Sequence, residues 1–210
     1  MIRVLIVDDH PAMRRGLREI ISDSTDMEVT AEAGNAAQAL EQVRKVKPDV
    51  VLMDITMPGR SGLEALADIK IERPDLPVLI CSIHAENEYA LRALRGGAAG
   101  YIPKDSDPDE LITALQKVVS GRRYITPTLA ELLAADVGGE VVHAPHESLS
   151  NREYEVLRAV AGGKSMSQIA DEMSLSVKTV STYRTRILEK LHLSTTAEMI
   201  RYALEHKLVE

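Results

Sequence analysis

Five short apolar runs, Ile2 to Val7, Met27 to Ala33, Val50 to Met53, Val78 to Ser82 and Gly100 to Ile102, are each followed by a stretch in which apolar residues recur every three or four positions. Such runs read as strands and the longer periodic stretches as helices, so the first hundred or so residues alternate strand and helix. That alternation predicts a parallel sheet with helices on both faces. Val50 to Met53 is apolar throughout, as a strand covered on both sides must be. Pro11 opens the first helix, with Met13, Leu17, Ile20 and Ile21 on one stripe and Arg14, Arg15 and Arg18 on the other face. Ala36, Ala39, Leu40, Val43 and Val46 line the second, which stops at Lys47-Pro48, and Leu63, Leu66, Ala67 and Ile69 line the third. A fourth runs from Glu86 to Arg95 and ends at Gly96-Gly97; a fifth starts near Pro108 and carries Leu111, Ile112, Leu115 and Val118.

The pattern changes after Arg122-Arg123. Thr126-Pro127 is an N-cap and N1 pair for a short helix through Leu129, Leu132 and Leu133. Asp136 to Glu147 has two adjacent glycines, a proline and no helical period, which reads as a linker. From Leu149 everything is helical. Ser150 with Glu153, and Ser165 with Gln168, form two capping boxes, and Ser176 can cap a third helix from Val177. A short helix, a tight turn and a longer helix have the geometry of a helix-turn-helix. On the longer helix Val177, Val180, Ile187, Leu188 and Leu191 form the inward stripe, while Lys178, Thr182, Thr185 and Glu189 face away. The bare pattern leaves two readings of that outer face, a DNA-contacting surface or the solvated side of a bundle.

Composition and charge sharpen this division. The 210 residues suffice for two small domains, and the boundaries expected are 1–125, a short helix with linker at 126–147, and 148–210. Apolar residues make up 45% but aromatics only 3%, so Leu, Ile, Val, Ala and Met must build the cores. One cysteine, Cys81, excludes an intramolecular disulfide, and His143 and His146 lack a third ligand nearby. A chain that reaches Asp8 and Asp9 after a few apolar residues, with no membrane-length run, fits a reducing cytoplasm. Of the net −7, residues 1–125 hold 16 basic against 20 acidic groups, 126–147 none against four, and 148–210 nine against eight. Nucleic-acid binding by the last segment therefore needs a local basic face, doubled by dimerisation, rather than bulk charge.

The chemistry gathers at strand ends. Asp8 and Asp9 follow the first strand and Asp54 the third, and in a doubly wound sheet these strands are neighbours at the switch point. Three converging carboxylates repel one another unless a divalent cation neutralises them, and oxygen ligands with room for water suit Mg²⁺. The blander reading makes Asp8 and Asp9 caps for the first helix. Lys104, ending the fifth strand, can pair with a carboxylate or a phosphoryl group, and Ser82, ending the fourth, adds a hydroxyl to the same rim. Cys81 reads as core, His84 as rim, and His10 as serving the helix start.

VDDH at 7–10, LMDITMPGRSG around Asp54, Ser82 and GYIPK at 100–104 together resemble the receiver domain of two-component response regulators. LSNREYEVL, GGKSMSQIA and LSVKTVSTYRTRILEKL resemble the NarL/FixJ, or LuxR-type, output domain, the Lys-Thr-Val-Ser-Thr-Tyr string being similar to the BvgA and EvgA type. The resemblance implies a flavodoxin-like doubly wound (βα)5 α/β receiver followed by an all-α helix-turn-helix domain. It implies Asp54 as phosphoryl acceptor, Mg²⁺ held by Asp8, Asp9, Asp54 and the Thr56 backbone carbonyl, and Lys104, Ser82 and Tyr101 as phosphoryl-contacting and switch residues. In the switch, Ser82 turns inward to donate and Tyr101 follows into the vacated space. Contacts to DNA are expected from Lys178, Thr179, Ser181, Thr182, Thr185 and Arg186, with Arg184 snorkelling to a phosphate; Ser181 stands where many members carry lysine. Met199, Ile200, Ala203 and Leu204 on the last helix, Thr196 to His206, resemble the family's dimerisation surface.

The function implied is a transcription regulator controlled by a sensor histidine kinase, binding paired half-sites of double-stranded DNA as a homodimer when phosphorylated, and not an enzyme. Two alternatives stand beside it. A phosphatase of the haloacid dehalogenase type also uses a strand-end Asp, though its general acid two residues on is here Thr56. A constitutive DNA binder would use the first domain only to dimerise.

Overall fold

A computed structural model describes residues 1–84, 86–137 and 145–209, in two compact units, Met1–Gly138 and Gly139–Glu210. The linker segment 138–144, His143 included, lies outside the described residues.

In the first unit strands β1 (Ile2–Val7), β2 (Met27–Ala33), β3 (Val50–Met53), β4 (Val78–Ser82) and β5 (Gly100–Pro103) alternate with helices α1 (Pro11–Ser22), α2 (Ala36–Val46), α3 (Gly62–Glu72), α4 (Glu86–Arg95) and α5 (Pro108–Val119); α6 (Pro127–Val137) follows. All strand pairs are parallel, in the order β2-β1-β3-β4-β5, so the direction of winding reverses between β1 and β3. Val4, Ile6, Val50 and Leu52 pack with Leu17 and Ile21 of α1 and Leu111 and Leu115 of α5. The alternate residues Leu5, Val7, Val51 and Met53 are equally buried, which is why β3 shows no polar phase. Each such side chain contributes about 1.5–3 kcal/mol.

Beyond α5 the chain closes the sheet. Tyr124 forms a parallel bridge with Gly100, its N–H donating to the Ala99 carbonyl at 2.9 Å. A Cβ at Gly100 would stand 2.7 Å from the Tyr124 oxygen, so only glycine permits this approach. Thr126 then caps α6, accepting from the Leu129 N–H at 3.1 Å, and its hydroxyl donates to Glu86 Oε2 at 2.6 Å. Glu86 opens α4, and α6 packs on that helix with Leu129 fully buried. The helix extends to Val137, so Asp136 belongs to it rather than to a linker, and Pro145–Ser148 forms a 3-10 turn rather than unstructured chain.

The second unit is α7 (Asn151–Ala161), α8 (Met166–Glu172), α9 (Val177–Lys190) and α10 (Thr196–Glu205). Both expected capping boxes form, and Ser176 accepts from the Thr179 N–H at 3.0 Å. Thr195 with Glu198 makes a further box on α10. The turn between α8 and α9 places Ser174 in the left-handed region, at φ +53°. Tyr154, Leu157, Ile169, Val180, Ile187 and Met199 are among the residues that fill the core. Val177 does not join them: at the first position of α9 it is 46% exposed. No helix among the described residues is long and apolar enough to cross a membrane.

Candidate functional site

The β1–β3 pairing assembles the site. Val7 and Met53 are opposite one another and the Asp54 N–H donates to the Val7 carbonyl at 2.8 Å, so Asp8 and Asp54 leave the sheet side by side. Gly62, first residue of α3, presses on this strand end from behind. Its N–H donates to the Ile55 carbonyl at 2.8 Å, and a Cβ there would stand 1.9 Å from the Asp54 carbonyl oxygen. Asp8, Asp9, His10 and Asp54 each offer a ligand atom within 4.8 Å of one another.

Lys104 enters from the end of β5. Its Nζ donates to Asp8 Oδ2 at 2.6 Å and to Asp54 Oδ2 at 2.8 Å, from a side chain only 7% exposed. Burial works against the ammonium, but the hydrogen bonds to Asp54 and Asp8 outweigh it and hold its pKa above the usual lysine value. Asp54 is 3% exposed, and burial, aided by the charge of Asp8, raises its pKa despite the opposing pull of Lys104. Asp54 Oδ1 is buried with no hydrogen-bond partner. One Asp9 oxygen lies 2.8 Å from His10 Nδ1 but outside hydrogen-bonding geometry. His10 occupies the α1 N-cap position without capping it through its side chain; its N–H instead donates to Asp8 Oδ1 at 2.7 Å.

On the rim, Ser82 is fully buried and its Oγ accepts from the His84 N–H at 3.3 Å. Tyr101 also points inward, completely buried, its hydroxyl donating to the His84 carbonyl at 2.7 Å. Tyr101 thus stands in the inward position that the switch expectation assigns to it. His84, expected on the rim, also reaches across it: its Nε2 shares a hydrogen bond of 3.0 Å with Thr56 Oγ1, a link that spacing alone does not reveal. Cys81 is core, its thiol pushed up to about 12 by burial.

In the second unit Lys178, Ser181, Thr182, Thr185 and Arg186 are exposed on one side of α9, with Thr179 partly covered at the cap. Ser176, Lys178, Thr179, Thr182, Tyr183 and Arg186 line a depression of about 290 Å³. Ser176 and Tyr183 were not among the expected contacts; Tyr183 lies one turn beyond Thr179, and that spacing was the available signal. Arg184 does not reach outward. Its Nε donates to Thr196 Oγ1 at 2.8 Å, which ties α9 to the start of α10. On α10, Met199 and Ala203 are fully buried and present no surface; Ile200 is half-buried and Leu204 is 52% exposed.

A doubly wound parallel sheet with an acidic pocket and a facing lysine at its switch point is a receiver module, and the second unit is a helix-turn-helix module. The family description "Response regulator receiver domain" matches residues 4–116, and "Bacterial regulatory proteins, luxR family" matches 147–203. The response regulator GacA of Pseudomonas viridiflava is 38% identical over 211 residues, covering 100% of this chain and 99% of its own. UvrY of Escherichia coli strain K12 is 36% identical over 209 residues, 99% of this chain and 96% of its own. A crystal structure of a LuxR-family two-component response regulator from Aurantimonas sp. SI85-9A1 superposes with a TM-score of 0.61 at 38% identity, over 65% of this chain and 97% of that one. The chain belongs to the two-component response regulators that join a receiver domain to a LuxR-type DNA-binding domain. Such proteins are phosphorylation-dependent transcription regulators, working with sensor kinases and DNA, and not enzymes, so the phosphatase alternative is set aside.

Proposed function

We propose that a sensor histidine kinase transfers its phosphoryl group to Asp54, and that the modified receiver promotes pairing and DNA binding by the output domain. The observation that carries this is the Asp54 carboxylate itself: buried at the switch point, one oxygen held by Lys104, the other with no partner. In the transfer a carboxylate oxygen attacks phosphorus, the P–N bond to the kinase imidazole breaks, and the imidazole takes up a proton. Lys104, kept protonated, moves from pairing carboxylates to pairing phosphoryl oxygens. Ser82, already inward, has its hydroxyl proton to donate to the same group, and Thr56 and His84 flank the mouth.

Mg²⁺ fits the donors present. Asp8, Asp9 and Asp54 supply oxygens close enough to share one ion, and the unpartnered Asp54 Oδ1 is the kind of buried acceptor a cation satisfies. With the Thr56 backbone carbonyl these residues would hold the ion, which when bound offsets charge on the phosphoryl oxygens.

The functional division proposed is receiver 1–125, helix and linker 126–147, and DNA-binding domain 148–210, acting in the cytoplasm. Lys178, Thr179, Ser181, Thr182, Thr185 and Arg186 contact DNA; of the four α10 residues expected to pair, Ile200 and Leu204 have surface to offer a second copy, which would set two half-sites about 10 bp apart. Phosphoryl incorporation from a small-molecule donor with Mg²⁺ tests the reading, comparing the protein with Asp54→Asn and following dimerisation in the same samples. Mg²⁺-dependent labelling lost in the variant and accompanied by pairing supports it. Absence of labelling sinks the switch and leaves a constitutive DNA binder.

A further inference from the structure

The exposed face of α9 is more apolar than its row of hydroxyl residues suggests. Val177 leaves 46% of its surface in water at the first turn of the helix. Thr182 and Thr185 commit their hydroxyl protons to the helix itself, Thr182 Oγ1 donating to the Lys178 carbonyl at 3.0 Å and Thr185 Oγ1 to the Ser181 carbonyl at 3.1 Å. A threonine bonded back in this way keeps acceptor lone pairs but has no free donor, and its γ-methyl becomes the group it can bring to a partner. Val177, Ser181 and Thr185, four apart, form one ridge; Lys178, Thr182 and Arg186 form the next. Methyl groups therefore stand beside two cations, an arrangement that suits an anionic partner with methyl groups at defined places.

We infer that α9 reads thymine: Val177 and the γ-methyls of Thr182 and Thr185 meet thymine 5-methyl groups in the major groove, with Lys178 and Arg186 held by the flanking phosphates. The inference deepens the reading of α9 as the DNA-contacting helix and rests on it. Thymine alone among the bases presents a methyl group in that groove, and the first residues of a recognition helix are those that meet base edges. Its partner adenine offers an N6 donor, which the free lone pairs of a back-bonded threonine can accept. A T·A pair thus complements both the methyl and the acceptor of such a side chain. Guanine, which shows only acceptors there, finds no donor on Thr182 or Thr185.

The full chain, treated with a small-molecule phosphoryl donor and Mg²⁺, is used to enrich duplexes from a random-sequence pool. The enriched duplex is then resynthesised with 2′-deoxyuridine replacing each thymine in turn. Loss of one read methyl group weakens binding by the wild-type chain about fourfold, the factor for one buried methyl group. At the position read by Val177, the same exchange leaves the affinity of Val177→Ala nearly unchanged. Thr185→Val, which keeps the methyl, retains sensitivity to uridine at its position, and Thr185→Ser loses it. Exchange that is silent at every thymine, or equally costly for the wild type and the variants, overturns the inference while leaving DNA binding intact. Failure of any duplex to enrich overturns instead the reading of α9 on which it rests.

Discussion

Replacing Gly62 with alanine adds one methyl group where the structure has no room for it. The new Cβ would stand 1.9 Å from the Asp54 carbonyl oxygen, 2.8 Å from its carbon and 3.0 Å from Ile55 Cα. All three obstacles are backbone, so no side chain can swing aside; either α3 retreats by about 1 Å or the Asp54 peptide moves. Overpacking costs about 1–3 kcal/mol, and occasionally more. An obstacle made only of backbone puts Gly62→Ala at the upper end, about 3 kcal/mol. Gly16 supplies the control. It lies inside α1 with nothing within 4 Å of its would-be Cβ, so Gly16→Ala gains about 1 kcal/mol from helix propensity alone. Urea unfolding of the full chain, followed through the backbone amides of Val51 and Leu52, reads the receiver separately from the output domain. With a urea dependence of about 2 kcal/mol per molar, Gly62→Ala lowers the midpoint by about 1.5 M and Gly16→Ala raises it by about 0.5 M. Phosphoryl uptake should fall only in the first, because only there is Asp54 displaced. A Gly62→Ala protein within about 0.5 kcal/mol of wild type, or two variants shifted in the same direction, would refute the packing argument.

Thr126→Val removes both the α6 cap and the donor to Glu86; the loss should be about 2 kcal/mol, with faster exchange of α6 amides, and Thr126→Ser should restore protection. Ser174→Gly relieves a left-handed residue in the helix-turn-helix turn and should raise the urea midpoint of the output domain, by about 1 kcal/mol in stability. Burial pushes the Glu32 carboxyl up, but Arg18 and Arg14 outweigh it, so its folded pKa lies below the ordinary glutamate value. The stabilisation is therefore full above that value and lost as pH falls through the folded pKa. Glu32→Gln should cost up to about 1 kcal/mol at pH 6 and nothing once wild-type Glu32 is protonated, as read from urea midpoints across pH.

The parallel sheet and the convergence of Asp8, Asp54 and Lys104 were legible because each depends on a run of residues, and runs survive errors at any one position. Helix starts were legible where a hydroxyl precedes Glu or Gln by three, as at Ser150 and Ser165. Three features were not. Val177 falls near the inward phase of α9, yet periodicity cannot say which residues of a stripe find packing partners: Val177 stays 46% exposed while Val180, three residues on, is fully buried. Met199 and Leu204 both lie on apolar arcs of α10, but burial against α7 claims Met199 and leaves Leu204 to solvent, a division the pattern alone does not make. The Tyr101 side chain, placed correctly at a strand end, takes its direction from a carbonyl seventeen residues away, that of His84.

The Thr126–Glu86 hydrogen bond makes the chain's way out of the receiver mechanically answerable to α4. Both groups are buried, so the first turn of α4 can shift in only two ways. It can drag α6 along, or it can leave a carboxylate without its donor at a cost of about 1–3 kcal/mol. That is the size of a typical allosteric coupling. Ser82 ends β4, the strand that precedes α4 in the chain. A shift of the first turn of α4 is thus geared to the start of α6, and the tightness of the gearing is set by one hydroxyl.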